Sequence, residues 1–185
     1  MEESLFRTYK FWAIFFSYPE EESFFKQLFE FASKDYIPLL EELKKVPLEE
    51  LQAEWTKLFI ANFGGVPCKP YQSFFGEEKE LMGAPAFSTN RFYRLFNLDT
   101  GNEYPDRANL QLDFAAFLVK LYLEDPILED RKRLEILYKE FFKKHILWMV
   151  KLAECVEKNT SIEPLKGLME KFKEFLLKEK NRLKL

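Results

Sequence analysis

The chain has one histidine, His145, and two cysteines, Cys68 and Cys155, and these are the first residues to weigh for chemistry. His145 lies on the stripe Leu134, Tyr138, Phe141, His145, Trp148, Leu152, which a helix presents on one face. No serine or cysteine adjoins it in sequence as a nucleophile to activate, so a core or interface histidine is favoured over a catalyst. Cys68 and Cys155 are far apart and form no Cys-x-x-Cys pair, which gives no disulfide framework and no zinc pattern. One histidine and two separated cysteines are too few for a tight transition-metal site. No Glu-x-x-His pair points to a carboxylate metal centre either. Gly64-Gly65 lacks the Gly-x-x-x-x-Gly-Lys-Ser/Thr spacing of a phosphate loop. Neither a metal nor an organic cofactor is expected, and the chain is not expected to be an enzyme.

The remaining chemistry is that of binding. Residues 64–75, Gly-Gly-Val-Pro-Cys-Lys-Pro-Tyr-Gln-Ser-Phe-Phe, form a loop rich in glycine, proline and aromatics, without acid–base partners. Long structured loops of this kind are often functional. Asp106 precedes a strongly apolar stretch. It is a candidate N-cap, and also a carboxylate able to pair with a partner's arginine. Asp113, two turns further on, needs a partner such as Arg107 or a helix N–H.

The elements that must position these groups read as helices. Leu5, Tyr9, Trp12 and Phe16 recur at steps of three and four, Pro19 ends that run, and Phe24, Phe25, Leu28, Phe29 and Ala32 form the next stripe. Pro38 opens a third segment. Pro47 suits a first helical turn, with Glu49 and Glu50 behind it near the positive helix end. Residues 62–76 read as loop. Short helices are expected near 77–82 and 88–96, a buried helix across Phe114 to Leu123, a long one from 128 to 157, and a last one from 165 to 180. No stretch alternates as a strand does. The expected fold is all-α: one domain over 1–185, a bundle of about eight to ten helices, which could divide into two lobes at a hinge near 98–106.

Composition limits the partners. The chain has 185 residues, 47% of them hydrophobic, and 21 are Phe, enough for one folded domain with an aromatic core. A formal net charge of −3 lacks the basic face that nucleic-acid binding requires. The lysines of the C-terminal helix alternate with Glu170, Glu174 and Glu179 as on a solvated face. The start, Met1-Glu2-Glu3-Ser4, is acidic, unlike a signal peptide, and the apolar run 11–16 is far short of the ~20 residues that span a bilayer. A cytoplasmic protein without membrane insertion is expected.

Several segments together resemble the TorD/DmsD family of redox-enzyme maturation chaperones and the related nitrate reductase assembly chaperones. Leu58-Phe59 followed by Pro70-Tyr71-Gln72-Ser73 is similar to that family's Leu-Phe and Pro-Tyr-x-Ser segments, and Leu81-Met82-Gly83 resembles the family's next segment. Glu103-Tyr104-Pro105-Asp106-Arg107 resembles its Glu-Pro-x-Asp-His signature, with the proline displaced by one and Arg107 in place of histidine. Phe141, His145, Ile146 and Trp148 match its Phe-x-x-x-His-Leu-x-x-Trp. The resemblance spans roughly residues 50–155. It implies a non-catalytic cytoplasmic chaperone that binds the twin-arginine signal peptide or N-terminal region of a molybdopterin-type oxidoreductase subunit and delays its export until the cofactor is loaded. The binding surface it implies combines Tyr71, Ser73, Phe74, Glu103, Asp106 and Arg107 with His145 and Trp148, in a monomer or weak dimer. The alternatives are a weak nucleotide hydrolase and a helical adaptor for a folded partner.

Overall fold

A computed structural model describes residues 1–76 and 79–185. Among the described residues it contains nine α-helices and no strand, only an isolated antiparallel bridge between Tyr71 and Arg107. The helices are α1 (Glu3–Phe15), α2 (Ser23–Phe31), α3 (Ile37–Lys44), α4 (Leu48–Trp55), α5 (Ala84–Arg94), α6 (Ala108–Glu124), α7 (Leu128–Phe141), α8 (Met149–Asn159) and α9 (Glu163–Arg182).

Proline punctuation sets several starts. Pro38, Pro85 and Pro164 stand in the first turns of α3, α5 and α9, where a missing N–H costs nothing, and Pro47 immediately precedes α4. Helix α6 runs against α1 through the centre of the bundle. Helix α9 packs on α3 and α8, and α7 returns along α6. Gly167 allows the close crossing of α9 over α3: a Cβ there would come within 2.8 Å of Leu39 Cδ2.

The many phenylalanines fill one connected core. At one end Trp12 meets Phe172 at 4.5 Å between ring centroids and Phe15 at 5.2 Å, while Phe15 meets Trp55 at 5.3 Å. At the other, Phe114 contacts Tyr93 and Phe141, each at 4.8 Å. Most of these pairs stand edge to face, the arrangement that the ring quadrupole favours. One buried polar cluster links three helices, although other buried polar atoms such as Trp12 Nε1 have no partner. Tyr9 and Tyr138 share a hydrogen bond of 2.8 Å, Tyr138 donates to Glu179, and Glu179 is held by Arg182 in a bidentate pair.

Several local expectations are corrected. The long helix expected over 128–157 is interrupted: α7 widens into a π-turn at Phe142–Ile146, and α8 starts only at Met149. Helix α4 passes into a similar π-turn at Thr56–Ile60. Such widened turns are frequent at functional sites. The helix expected near 88–96 begins earlier, at Ala84. Of the helix expected near 77–82, Glu77 and Glu78 lie outside the described residues. Residues 79–82 are not helical, because Lys79 and Met82 take left-handed φ angles of 51° and 58°. Asp113 pairs with Lys10 of α1, not with Arg107.

The expectation for the cysteines is overturned. Cys68 and Cys155 are bridged, with Cα atoms 5.7 Å apart across a separation of 87 residues. Linear spacing gave no sign of this, because the loop after α4 is brought onto α8 only by tertiary folding.

Candidate functional site

The three segments singled out in the sequence meet in one place. The loop 61–71 ends in a 3-10 turn, Gln72–Phe75. That turn is stitched to the chain entering α6: the Gln72 N–H donates to the Asp106 carbonyl at 3.0 Å, and the Ala108 N–H to the Pro70 carbonyl at 2.8 Å. Asp106 is fully buried. Its Oδ2 accepts the Ser73 N–H at 2.8 Å and the Ser73 hydroxyl at 2.6 Å. Asp106 therefore caps the 3-10 turn and not α6, whose own N-cap is Arg107 with no side-chain cap bond. The expected hinge segment near 98–106 is fastened at its far end, where Pro105 accepts the Tyr93 hydroxyl at 2.9 Å.

His145 is also buried, in the π-turn after α7. Its Nδ1 lies 2.9 Å from Gln72 Oε1 and 3.0 Å from Thr89 Oγ1, and its Nε2 lies 3.0 Å from Ser88 Oγ. Gln72 Oε1 can only accept, and the Thr89 hydroxyl already donates to the Pro85 carbonyl. The proton therefore belongs on Nδ1, and Nε2 accepts from Ser88. Burial, with the neighbouring Lys144 cation, lowers the His145 pKa from 6.5 to about 4, against a smaller opposing effect of Glu140. Gln111 completes the network: its Nε2 donates to Gln72 and Thr89, and its Oε1 accepts the Trp148 indole N–H at 2.7 Å. Gln111 and Thr89 were missed in the sequence. The available signal was a glutamine on the same face of α6 as the apolar residues Ala108, Leu112 and Ala115.

Asp106, Ser73 and His145 thus face inward and hold the turn; Tyr71, Phe74, Arg107 and Trp148 are half-buried and Glu103 is exposed. Arg107 pairs with Glu103 at 2.8 Å. Trp148 lies behind the turn, 5.0 Å from Phe75 between ring centroids.

On the outer side of this wall lies a cleft of about 250 Å³. Phe16, Trp55 and Phe59 form its floor, Tyr71 and Phe74 one wall, and Ile60 and Leu81 the exposed rim. Lys69 stacks its ammonium over Phe74, 4.1 Å from the ring centroid. The cleft adjoins a polar recess containing Glu20, Glu21 and Asn109, and Tyr18 and Arg107 line both. The result is an aromatic trough with carboxylates at one end. In the sequence the floor residues read as helix stripes, with Phe59 also in the Leu58-Phe59 segment of the resemblance, and Glu20 and Glu21 were not singled out. A wider depression between α1 and α9 contains none of the predicted residues, and its walls carry charges of both signs. No group of three or more metal-ligating side chains is found among the described residues. No helix among them is long and apolar enough to cross a membrane.

The chain is similar over 95% of its length, at 27% identity and a TM-score of 0.68, to a crystal structure from Archaeoglobus fulgidus described as a candidate redox enzyme maturation protein, 96% of which is covered. No curated protein matches it in sequence. The family model described as nitrate reductase delta subunit matches residues 22–154. The interlocked loop, α6 entrance and His145 turn all fall within that span. The chain belongs to the nitrate reductase delta subunit family, and is a non-catalytic chaperone of redox-enzyme maturation.

Proposed function

We propose that the cleft receives the N-terminal region of a molybdopterin-type oxidoreductase subunit, in the form of a twin-arginine signal peptide, and holds it in the cytoplasm until the cofactor is loaded. The observation that carries this reading is the junction of an aromatic trough with a carboxylate-bearing recess. A peptide with a cationic end and an apolar stretch would lay its apolar side chains over Trp55, Phe59 and Phe74. Its arginines would reach Glu20 and Glu21. The carboxylates facing the client are then these two and not Asp106, which is enclosed. Arg107 stands at the junction, but its pairing with Glu103 limits its repulsion of a cationic peptide. The buried network behind the wall keeps Tyr71 and Phe74 in place, so that little ordering remains to be done on binding.

Calorimetric titration with synthetic N-terminal peptides of oxidoreductase subunits encoded beside this chain tests the reading. Binding is expected, and Phe74→Ala should weaken it by about 1–3 kcal/mol, the value of burying such a side chain. Exchanging both Glu20 and Glu21 for glutamine should weaken it similarly and flatten its dependence on salt. A folded wild type that binds none of these peptides, or variants that bind as well as the wild type, would overturn it.

A further inference from the structure

We propose that the Cys68–Cys155 disulfide is a redox-active site, a substrate for a dithiol reductant, whose cleavage frees the loop wall of the cleft from α8. Cys68 lies between Val66 and Lys69 of the cleft lining, two residues before Pro70. Between Ala61 and Lys69 the loop has little else to hold it. Residues 61–65 are exposed, Phe63 fully so, and Gly64 and Gly65 turn with φ angles of 91° and 105°. The Gly65 N–H bonds only within the loop, to Asn62. Apart from the disulfide, two backbone bonds tie this stretch back to the π-turn after α4: the Ala61 N–H to the Thr56 carbonyl at 2.8 Å and the Cys68 N–H to the Leu58 carbonyl at 3.0 Å.

The two cysteine residues differ in exposure. Cys68 is fully buried, whereas Cys155 is partly exposed on α8. A reductant thiolate therefore attacks Cys155 Sγ. The S–S bond breaks, Cys68 leaves as a thiolate and takes up a proton, and a mixed disulfide remains on Cys155. The second thiol of the reductant displaces Cys155. Both cysteines end as thiols, and the reductant ends as its own disulfide, with two electrons and two protons transferred. The Asn159 side-chain N–H₂ lies 3.8 Å from Cys68 Sγ and 3.7 Å from Cys155 Sγ, placed to stabilise charge on the leaving sulfur.

Assigning the freed loop to the client site rests on the function proposed above, but the test needs no peptide. The full chain is equilibrated with oxidised glutathione or with dithiothreitol, alkylated without denaturant, and followed by hydrogen exchange of the 61–71 segment. The oxidised protein should resist alkylation. The reduced protein should take two alkyl groups, and exchange in the segment should rise by about tenfold or more while α1 and α9 stay protected on the same timescale. Cys68→Ser and Cys155→Ser should show the fast exchange whatever the thiol reagent. Two alkylatable cysteines after oxidised glutathione, or equal exchange of the segment in both wild-type forms, would overturn the proposal. Failure of signal-peptide binding would leave these readouts unaltered.

Discussion

The Asp106 carboxylate organises a turn, and its energetics are those of a buried anion bonded to a backbone N–H and a hydroxyl. Asp106→Ala would leave the Ser73 N–H without a partner inside the protein. The loss should be about 2–4 kcal/mol of stability, since bonds to charged groups are worth more than neutral ones and an orphaned donor adds its desolvation. A urea unfolding curve checks it, and a loss below ~1 kcal/mol would show that the turn stands without its cap. His145 gives the pH-dependent counterpart. Its folded pKa of about 4 lies below the ordinary 6.5. Between these values the unfolded chain binds the proton and the folded chain does not, so stability is retained above 6.5 and falls as pH drops towards 4. The full excursion is about 3 kcal/mol or slightly more, at about 1.36 kcal/mol for each pKa unit. Repeating the pH series with His145→Gln should give a flatter profile; an unchanged slope would place the titration on other groups.

At the scale of elements, the Cys68–Cys155 bridge and the interrupted α7–α8 passage decide where the loop wall stands. A cross-link spanning 87 residues removes much freedom from the unfolded chain. On the chain-entropy account, Cys155→Ser should cost about 4–5 kcal/mol relative to the oxidised wild type. Denaturant midpoints of the two proteins measure this, and a difference under ~1 kcal/mol would mean the bridge acts locally only. Apart from the helix expected near 77–82, helix existence and type were legible in the sequence because apolar spacing and proline placement are local signals: Leu5, Tyr9, Trp12 and Phe16 marked α1, and Pro38 marked α3. The π-turns were not legible, since a widened turn leaves the 3.6-residue stripe through Phe141 and His145 almost intact. The site was half legible. The sequence pointed to the segments that meet, but burial of Asp106 and His145, the Gln72–Gln111 link and the approach of Cys68 to Cys155 depend on contacts across 33 to 87 residues. No local pattern encodes such contacts.

At the scale of the molecule, the chain encloses its aromatic core yet leaves apolar side chains uncovered at the rim of the cleft, as it does at scattered positions such as Leu95, Leu128 and Ile136. Ile60 and Leu81 stand on the rim, and Phe63 projects from the nearby loop tip. The wider depression between α1 and α9 also exposes apolar surface, from Leu5 and Phe175 among others, but lysines, an arginine and carboxylates interrupt it with mixed charge. Covering the cleft is one way in which a ligand adds to the stability of the whole fold. A client peptide that binds only the folded chain, supplied at a hundred times its dissociation constant, should stabilise it by about 2.7 kcal/mol. For a domain of this size each kcal/mol raises the melting temperature by about 2–4 °C, so the expected rise is about 5–11 °C. A peptide of the same composition in scrambled order, with its arginines dispersed through the apolar stretch, loses the match of one cationic end to one carboxylate-bearing recess. It should give a clearly smaller rise. Thermal unfolding followed by circular dichroism at matched peptide concentrations compares the two. Equal shifts would mean that the cleft takes up any apolar segment, and that Glu20 and Glu21 contribute nothing to the choice of client.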